Sequence, residues 1–289
     1  MDRAPGLALH LGLGLVASLL LASGLLMMKS RSATLPPARA GDMFRSIIIW
    51  IRDPVWSAGL AVQAIGYAVY IVALSNAPVS LVAVMMQAGI GLFVVFAILF
   101  LHERASTREW IGIGGIATAT IMLARSLEGG AAQGHATTRS LYTLTAIAIV
   151  LAAVPYAYTR LYRSGAATAI ASGVAFGLAS LFAKAMADSF IAQSATAAIL
   201  RVFADQWVYF TIGANIAGLV LLQNSFHSAR GIIAMPLSSA ISNVMPILGG
   251  MAAFGETLPA DPTAATLRIA AFALTIASSG LLATGEMAG

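Results

Sequence analysis

The chain of 289 residues has no cysteine and few charged residues. Without cysteine it can form no disulfide bond, no thiolate nucleophile and no cysteine-bound metal site. Asp, Glu, Lys and Arg together make up 9% of the sequence, whereas soluble domains carry about 25%. A folded chain of this length could not cover its surface with so few charges, so most of that surface must face lipid.

Apolar residues dominate instead. They make up 59% of the chain and give a mean hydropathy of +0.88. Many apolar stretches reach the roughly 20 residues that an α-helix needs to cross a bilayer. They are continuous, whereas the strands of a membrane barrel alternate with period two. The sequence therefore predicts an all-α, polytopic membrane protein. A cleaved signal peptide is disfavoured, because the first stretch, Leu7–Met28, is too long and is followed by Lys29 and Arg31.

Nine transmembrane helices are predicted. Two partly apolar connectors, residues 30–54 and 188–206, are each expected to hold a short interfacial helix, and ten spans remain the alternative. All four tryptophans lie next to span starts, where amphipathic rings favour the headgroup zone. The predicted spans are Leu7–Met28, Val55–Ser75, Val79–Leu101, Trp110–Ala124, Leu141–Thr159, Ala166–Ala187, Trp207–Ser225, Ala229–Phe254 and Leu267–Thr284.

Basic residues predict the orientation, because cytoplasmic loops carry an excess of Lys and Arg. Ten of the 16 lie on the side of the loop that follows span one, and six lie on the other side. We therefore expect an outside N-terminus and a cytoplasmic C-terminus, in a bacterial inner (plasma) membrane. The residues that give the net charge of +5 lie between the spans. We therefore attribute this charge to membrane topology and expect no nucleic-acid partner.

Three landmarks recur at offsets of 151 to 155 residues: Lys29 with Lys184, Trp56 with Trp207, and Glu103 with Glu256. Spans one to four and six to nine are therefore predicted to be two copies of one four-helix unit. Four crossings return the chain to its starting side, so span five inverts the second copy. We expect a first repeat at 1–127, a linker with the fifth helix at 128–165 and a second repeat at 166–289. Inverted repeats are typical of secondary transporters, with a site between the halves near mid-membrane.

Several motifs support a resemblance. The chain has a lysine-terminated first helix, W-x2-G-L at Trp56–Leu60, A-L-x-x-A-P-x-S at Ala73–Ser80 and H-E-R at His102–Arg104. Together these resemble the drug/metabolite transporter superfamily, in which EamA-type exporters duplicate the four-helix unit. The nine-span layout, with Met235–Pro236 ahead of Glu256, is similar to NIPA-type magnesium transporters. The resemblance implies a transporter.

At two positions where those families have a glutamate within the membrane, this sequence has no negatively charged residue. Small multidrug resistance proteins place a glutamate in their first helix, where this chain offers only His10. The NIPA-like pattern has a glutamate at about the position of Gln63. All eleven acidic residues lie at or beyond predicted span ends. A bare dication in hydrocarbon requires carboxylates, so the sequence favours an organic solute.

The candidate substrate-binding residues are neutral apart from one lysine. On span two, three of them share a helix face, and on span eight another three do. Lys184 could attract an anionic group, with Lys29 as its mate at the other membrane face. The alternative interpretation is hydrogen bonding between helices, or for Lys184 snorkelling to the interface. The set comprises Gln63, Tyr67, Tyr70, Gln87, Lys184, Asn215, Ser239, Ser242 and Asn243.

These observations predict a drug/metabolite-type transporter that moves a small polar or amphipathic organic solute by alternating access. One alternative is a NIPA-like magnesium or divalent cation transporter, and another is a non-transporting membrane subunit or lipid-handling protein. No catalytic constellation or zinc spacing is present, so we expect neither an enzyme nor a cofactor. Membrane lipids and the solute are the expected partners, and a homodimer is left open.

Two further expectations concern packing. Pro236 and Pro246 should break span eight into segments. Small residues let helices approach closely, and we expect this of the glycines Gly89, Gly91, Gly112, Gly114, Gly115, Gly249 and Gly250.

Overall fold

A computed structural model describes residues 4–38, 41–74, 91–127, 137–162, 164–191, 205–254 and 258–287. Within these ranges the regular structure is helical and includes no strand. Ten helices in these ranges are numbered in chain order. They are α1 (Ala4–Arg31), α2 (Met43–Arg52), α3 (Pro54–Leu74), α4 (Gly91–Phe100), α5 (Thr107–Leu127), α6 (Thr138–Tyr162), α7 (Gly165–Ile191), α8 (Gln206–Ser228), α9 (Gly231–Ala253) and α10 (Pro262–Met287).

Each predicted span coincides with a helix, although span three is described only from residue 91 onward. Observed ends lie within five residues of the predicted ones, commonly one turn further out. A helix continues past the hydrocarbon because its backbone hydrogen bonds remain satisfied in the headgroup zone. The short helix expected in the first connector is present as α2, and its interfacial position stays a prediction. Its predicted counterpart at 195–203 lies outside the described residues.

Length and composition identify membrane-crossing helices. Four stretches in the described part are long and apolar enough to span a bilayer: Leu13–Arg31, Gly165–Ala183, Gly231–Ala253 and Pro262–Leu282. Shorter apolar helices occur at Pro54–Val69, Gly91–Phe100 and Thr138–Val150. Large apolar side chains such as Ile276 and Ile111 point outward. The chain is therefore a helical integral membrane protein, and the count of nine spans stays a prediction.

Some of the packed helix pairs are close in sequence, and others join distant segments. Helix α1 packs against α3, and α7 packs against α6, α8 and α9. A long-range pair, α5 with α10, links the two predicted halves. The largest buried apolar cluster also crosses between them, since Phe93 of α4 stacks on Phe226 of α8 with ring centroids 6.3 Å apart. The core is thus shared between the predicted repeats.

Glycines allow two of these pairs to approach closely. A Cβ atom on Gly24 would lie 2.5 Å from the carbonyl oxygen of Gly59, and one on Gly59 would lie 2.7 Å from that of Gly24. A Cβ on Gly112 would lie 2.8 Å from Cγ of Leu282, across the α5–α10 pair. Side chains larger than hydrogen would push these backbones apart.

The glycine prediction holds at some positions and fails at others. It is confirmed at Gly112, Gly115 and Gly249, each of which meets a neighbouring helix. It is wrong at Gly91 and Gly114, where a Cβ would meet no atom of the described residues within 4 Å. Helical periodicity explains the difference on α5, because Gly112 and Gly115 share a face that Gly114 does not. Gly89 lies outside the described residues.

The predicted break in span eight is wrong. Helix α9 runs from Gly231 to Ala253 with Pro236 and Pro246 inside it. A proline removes one backbone hydrogen bond and bends a helix, but packing can hold the helical path. Here α9 lies along α7, and Ser238 Oγ is 3.1 Å from Ser172 Oγ of that helix.

Candidate functional site: a polar clamp between the predicted halves

Lys29, near the end of α1, binds the end of α8. Its Nζ donates to the carbonyl oxygens of Phe226, at 2.7 Å, and Ala229, at 2.9 Å. It also lies 5.3 Å from the centroid of the Phe226 ring. The last carbonyls of a helix have no partner within the helix, and the dipole makes that end negative. The ammonium therefore bonds two carbonyl oxygens that have no partner within the helix, and its charge complements the dipole of α8.

Glu103 performs the converse role at the start of α9. Its carboxylate accepts hydrogen bonds from the backbone N–H groups of Gly231, at 2.8 Å, and Ile232, at 3.0 Å. His102, with φ of +54°, turns the chain sharply just before it. The first N–H groups of a helix lack internal partners and attract negative charge. Glu103 thereby caps α9 from the opposite predicted half.

The two charges also face each other. Lys29 Nζ lies 3.8 Å from Glu103 Oε1, and their side chains are only 11% and 10% exposed. We call Lys29, Glu103 and the turn between α8 and α9 (residues 226–232) the clamp. Lys29 makes two hydrogen bonds and one ring contact to this turn, and Glu103 makes two hydrogen bonds to it. These five contacts join α1 and α4 to α8 and α9, so the clamp connects the two predicted halves at one end.

A second set of contacts supports the clamp. Ser106 and Glu109 form a capping box at the start of α5: Ser106 N–H donates to Glu109 Oε2 at 2.7 Å, and Glu109 N–H to Ser106 Oγ at 3.3 Å. Glu109 is buried and forms an ion pair with Arg230. Arg230 also donates to the carbonyl oxygen of Arg104. The N-terminus of α5 is thus fixed to the same turn.

A nearby ion pair fixes the connection between α1 and α3. Arg31 donates to Asp53 Oδ2 from Nε at 2.9 Å and from Nη2 at 2.7 Å. Asp53 Oδ1 accepts from the Trp56 backbone N–H at 2.9 Å, which caps α3. The Arg31 guanidinium and, to a smaller degree, that N–H hold the pKa of the Asp53 carboxyl below its usual range. Burial opposes them with a weaker effect.

The clamp occupies Lys29 in this conformation. Two carbonyl oxygens and a carboxylate surround its ammonium. The predicted role of Lys29 as an attractor for an anionic solute therefore requires the clamp to open. Sequence reasoning treated Lys29 and Glu103 as separate helix-end charges and missed their contact. The S-x-x-E pattern of Ser106–Glu109 was the signal of an ordered helix start close to Glu103.

On α3, the predicted substrate residues face different surroundings. Gln63 is half-buried, with Nε2 3.8 Å from Met28 Sδ of α1. The side chain of Tyr67 is 58% exposed. Outside the described part of the chain lie Gln87 and the side chains of Tyr70 and Lys184. The predicted roles of all five stay predictions.

On α8 and α9, the side chains of two predicted residues, Asn215 and Ser242, bond within their own helices. Asn215 is exposed and donates to the Thr211 carbonyl oxygen at 2.9 Å. Ser242 donates to the Ser239 carbonyl oxygen at 3.0 Å, and Asn243 is half-buried nearby. Helix α3 packs on α1 while α9 packs on α7. The polar face of α3 and the trio on α9 thus belong to different helix pairs.

A cavity of about 800 Å³ lies between α6, α7 and α8. Its walls are almost entirely apolar and include Thr145, Val174, Leu178, Phe182 and Phe210. The predicted substrate residues whose side chains are described do not line it. Asn224 at its edge is held by Ala38, whose N–H and carbonyl oxygen each bond its amide at 2.8 Å. The cavity therefore suits the apolar part of a ligand.

The described residues offer no ready-made metal centre. Among them, no group of three or more His, Asp or Glu side chains lies close enough to hold a metal ion. The carboxylates of Glu103 and Glu109 are both engaged by protein donors. Glu256, the predicted mate of Glu103, lies outside the described residues.

The chain was compared with known proteins. No protein-family model matches it, and no solved structure does. It is 23% identical over 280 residues to a protein of Arabidopsis thaliana named probable magnesium transporter NIPA9, a region that covers 91% of this chain and 78% of that relative. A similarity over nearly the whole chain, together with the apolar helices, supports a NIPA-like membrane transporter.

Proposed function

We propose that the chain is a membrane transporter that moves a divalent cation, with Mg²⁺ as the first ion to test. The similarity over 91% of the chain to a protein named as a magnesium transporter carries this proposal. It favours a divalent cation, which the sequence analysis gave as an alternative, over an organic solute. The resemblance to the wider drug/metabolite superfamily remains part of the proposal.

Mg²⁺ is compatible with a charge-poor interior if it keeps its water. The ion loses water reluctantly and commonly retains several aqua ligands in protein sites. Neutral amide and hydroxyl oxygens can accept hydrogen bonds from those ligands. Gln63 is half-buried on α3 at about the position where the NIPA-like pattern has a glutamate, so its amide oxygen is the first candidate.

Transport would proceed by alternating access between two inverted halves, 1–127 and 166–289, with 128–165 as the linker. The helix pairs support this division, because α1 packs on α3 as α7 packs on α8. These are the first two helices of each predicted repeat. The clamp would close one membrane face, and opening that face would separate Lys29 and Glu103 from the turn between α8 and α9.

The clamp would lie on the cytoplasmic side of a bacterial inner membrane. Loop charges assign Lys29, Arg104 and Arg230 to that side. Lys29 contacts Glu103, and Arg230 donates to the carbonyl oxygen of Arg104, so these residues lie at one end of the bundle. The outside N-terminus follows from the same assignment.

Flux measurements test the cation proposal. Protein reconstituted into liposomes that contain a Mg²⁺-sensitive dye should give saturable Mg²⁺ influx above that of empty liposomes. Gln63→Leu should lower the influx at least several-fold, whereas Thr118→Val, at an exposed hydroxyl that bonds its own helix, should leave it nearly unchanged. Influx no greater than in empty liposomes, for protein whose melting temperature shows it to be folded, would refute the proposal.

A second candidate is transport of a polar or amphipathic organic solute. The cavity of about 800 Å³ favours it, since small-molecule pockets occupy about 300–1,000 Å³ and are mostly apolar. A ligand that binds the folded state raises its melting temperature by mass action. An organic solute that raises it and is transported saturably without Mg²⁺ would establish this alternative.

A further inference from the structure

The cavity between α6, α7 and α8 is open along one side, and we call it the groove. Helix α7, which packs against both other helices, forms the floor with the buried side chains of Val174 and Leu178. The rims include Ile149 of α6 and Ile216 of α8, whose side chains are exposed. The groove is therefore continuous with the apolar outer surface of a membrane protein, where lipid chains are the solvent.

Aromatic rings close the groove at the start of α8. The Tyr142 hydroxyl of α6 donates to Gln206 Oε1 at 2.8 Å, and the Tyr142 ring centroid lies 6.2 Å from that of Phe210. The rings of Phe210 and Phe182 of α7 are 5.4 Å apart. Phe182, Phe210 and, towards the other end of α8, Asn224 all line the groove. It thus extends along most of α8.

The groove has the dimensions of a hydrocarbon chain. From Phe210 to Asn224 the wall advances 14 residues along α8, which is about 21 Å at 1.5 Å per residue. The chains of one leaflet occupy roughly 15 Å, half of the hydrocarbon core. Over 21 Å, the volume of about 800 Å³ gives a mean cross-section of about 38 Å², whereas a helix about 10 Å wide has about 80 Å². The groove is therefore too narrow for a helix of a second copy.

The chemistry of the lining also favours hydrocarbon. The walls are almost entirely apolar. The Thr145 hydroxyl donates to the Leu141 carbonyl oxygen of its own helix at 2.7 Å, and the Asn224 amide bonds both backbone groups of Ala38. A polar group placed here would lose its hydration without gaining these side chains as partners. A hydrocarbon chain needs no hydrogen bond and loses nothing.

We propose that the groove binds one acyl chain of a membrane phospholipid. The chain lies on Val174 and Leu178 between the walls of α6 and α8, while its headgroup stays at the membrane surface. There it supplies the van der Waals contacts that the apolar lining would otherwise lack. The site is separate from the clamp and does not depend on transport of a divalent cation. An organic solute that enters the same cavity would have to displace the chain.

Photo-crosslinking tests the site in the whole protein. The protein is reconstituted into liposomes of phosphatidylethanolamine and phosphatidylglycerol that contain a trace of phospholipid with a diazirine on one acyl chain. After irradiation, mass spectrometry should find the label on Val174 or Leu178 as well as on the exposed Ile276 of α10. Surrounding lipid reaches Ile276 but not the buried floor. Label on Ile276 with none on the floor would overturn the proposal.

Two glycine variants sharpen the test. Gly213 lines the groove, whereas Gly114 lies on α5. Both are exposed, and a Cβ on either would meet no atom of the described residues within 4 Å. Gly213→Phe should fill the groove and lower the labelling of Leu178 at least several-fold, with Ile276 unaffected. Gly114→Phe should leave both labels unchanged.

Two outcomes of the variant experiment contradict the proposal. One is undiminished labelling of Leu178 in Gly213→Phe protein that a melting curve shows to be folded. The other is crosslinking of the floor to a second copy of the chain in place of lipid. If Gly213→Phe does not fold, the labelling of Val174 and Leu178 in the wild-type protein decides.

Discussion

At the scale of single residues, the clamp depends on two charges that bond to backbone atoms as well as to each other. Lys29 and Glu103 are both about nine-tenths buried, and desolvation of such a pair can cost more than the mutual attraction returns. The four bonds to helix-end carbonyl and N–H groups change the balance, because those backbone groups would otherwise be unsatisfied. Removal of either charge should therefore be costly.

Glu103→Gln is expected to destabilise the protein by about 3 kcal/mol, since it leaves the Lys29 ammonium buried without a counter-charge. The amide also retains only one acceptor for the N–H groups of Gly231 and Ile232. Arg31→Gln is a comparison variant: the guanidinium that it removes is 36% exposed, and the Asp53 carboxylate that stays behind keeps its hydrogen bond from the Trp56 N–H, so the loss should be smaller than that of Glu103→Gln. Denaturant unfolding of each variant measures both values, and equal losses would contradict the assigned role of the clamp.

The ion pair of Arg31 and Asp53 predicts a pH dependence. The pKa of Asp53 is lowered by the Arg31 guanidinium, so its carboxylate stabilises the fold above the unfolded-state pKa of about 3.9. That contribution disappears as the pH falls through the lower, folded-state pKa. Asp53→Asn should therefore melt below wild type at pH 7, and the two curves should meet in acid. Asp42→Asn, where the side chain makes no cap hydrogen bond, should differ little from wild type at either pH.

At the scale of elements, the helices were predictable because apolar length is a local property of the sequence. The apolar stretch Leu7–Met28 and the short helix α2 in the first connector follow from composition alone. The clamp was not predictable in the same way, because Lys29 and Glu103 meet the turn at residues 226–232 only through tertiary packing. The continuity of α9 through Pro236 likewise depends on packing against α7. Local sequence patterns do not predict that packing.

The α1–α3 pair yields a prediction about glycine. Gly24→Ala would place a Cβ 2.5 Å from the Gly59 carbonyl oxygen, and since that atom belongs to the backbone the helices must separate. Overpacking of this kind costs about 1–3 kcal/mol. Gly114→Ala, where nothing lies within 4 Å, should gain up to about 1 kcal/mol from helix propensity. Thermal unfolding of both variants tests the contrast, and a loss of similar size at Gly114 would argue against close packing as its cause.

At the scale of the whole molecule, the proposed alternating access requires two antiparallel halves that share one core. The α5–α10 pair and the cluster around Phe93 and Phe226 cross between the predicted halves. The clamp joins them at one end. The predicted mate of Glu103 is Glu256, which inverted topology would place at the opposite membrane face. The offsets of 151 to 155 residues predict the two copies, and the odd fifth helix is predicted to invert the second one.

Labelling of single cysteines tests the inversion most directly, since the chain has no cysteine of its own. Thr107 and Ala260 are exposed, lie shortly after Glu103 and Glu256, and are themselves 153 residues apart. Thr107→Cys and Ala260→Cys should react with a membrane-impermeant maleimide in opposite preparations, Thr107→Cys in inverted vesicles and Ala260→Cys in right-side-out vesicles. Reaction of both from the same side would contradict the two antiparallel halves.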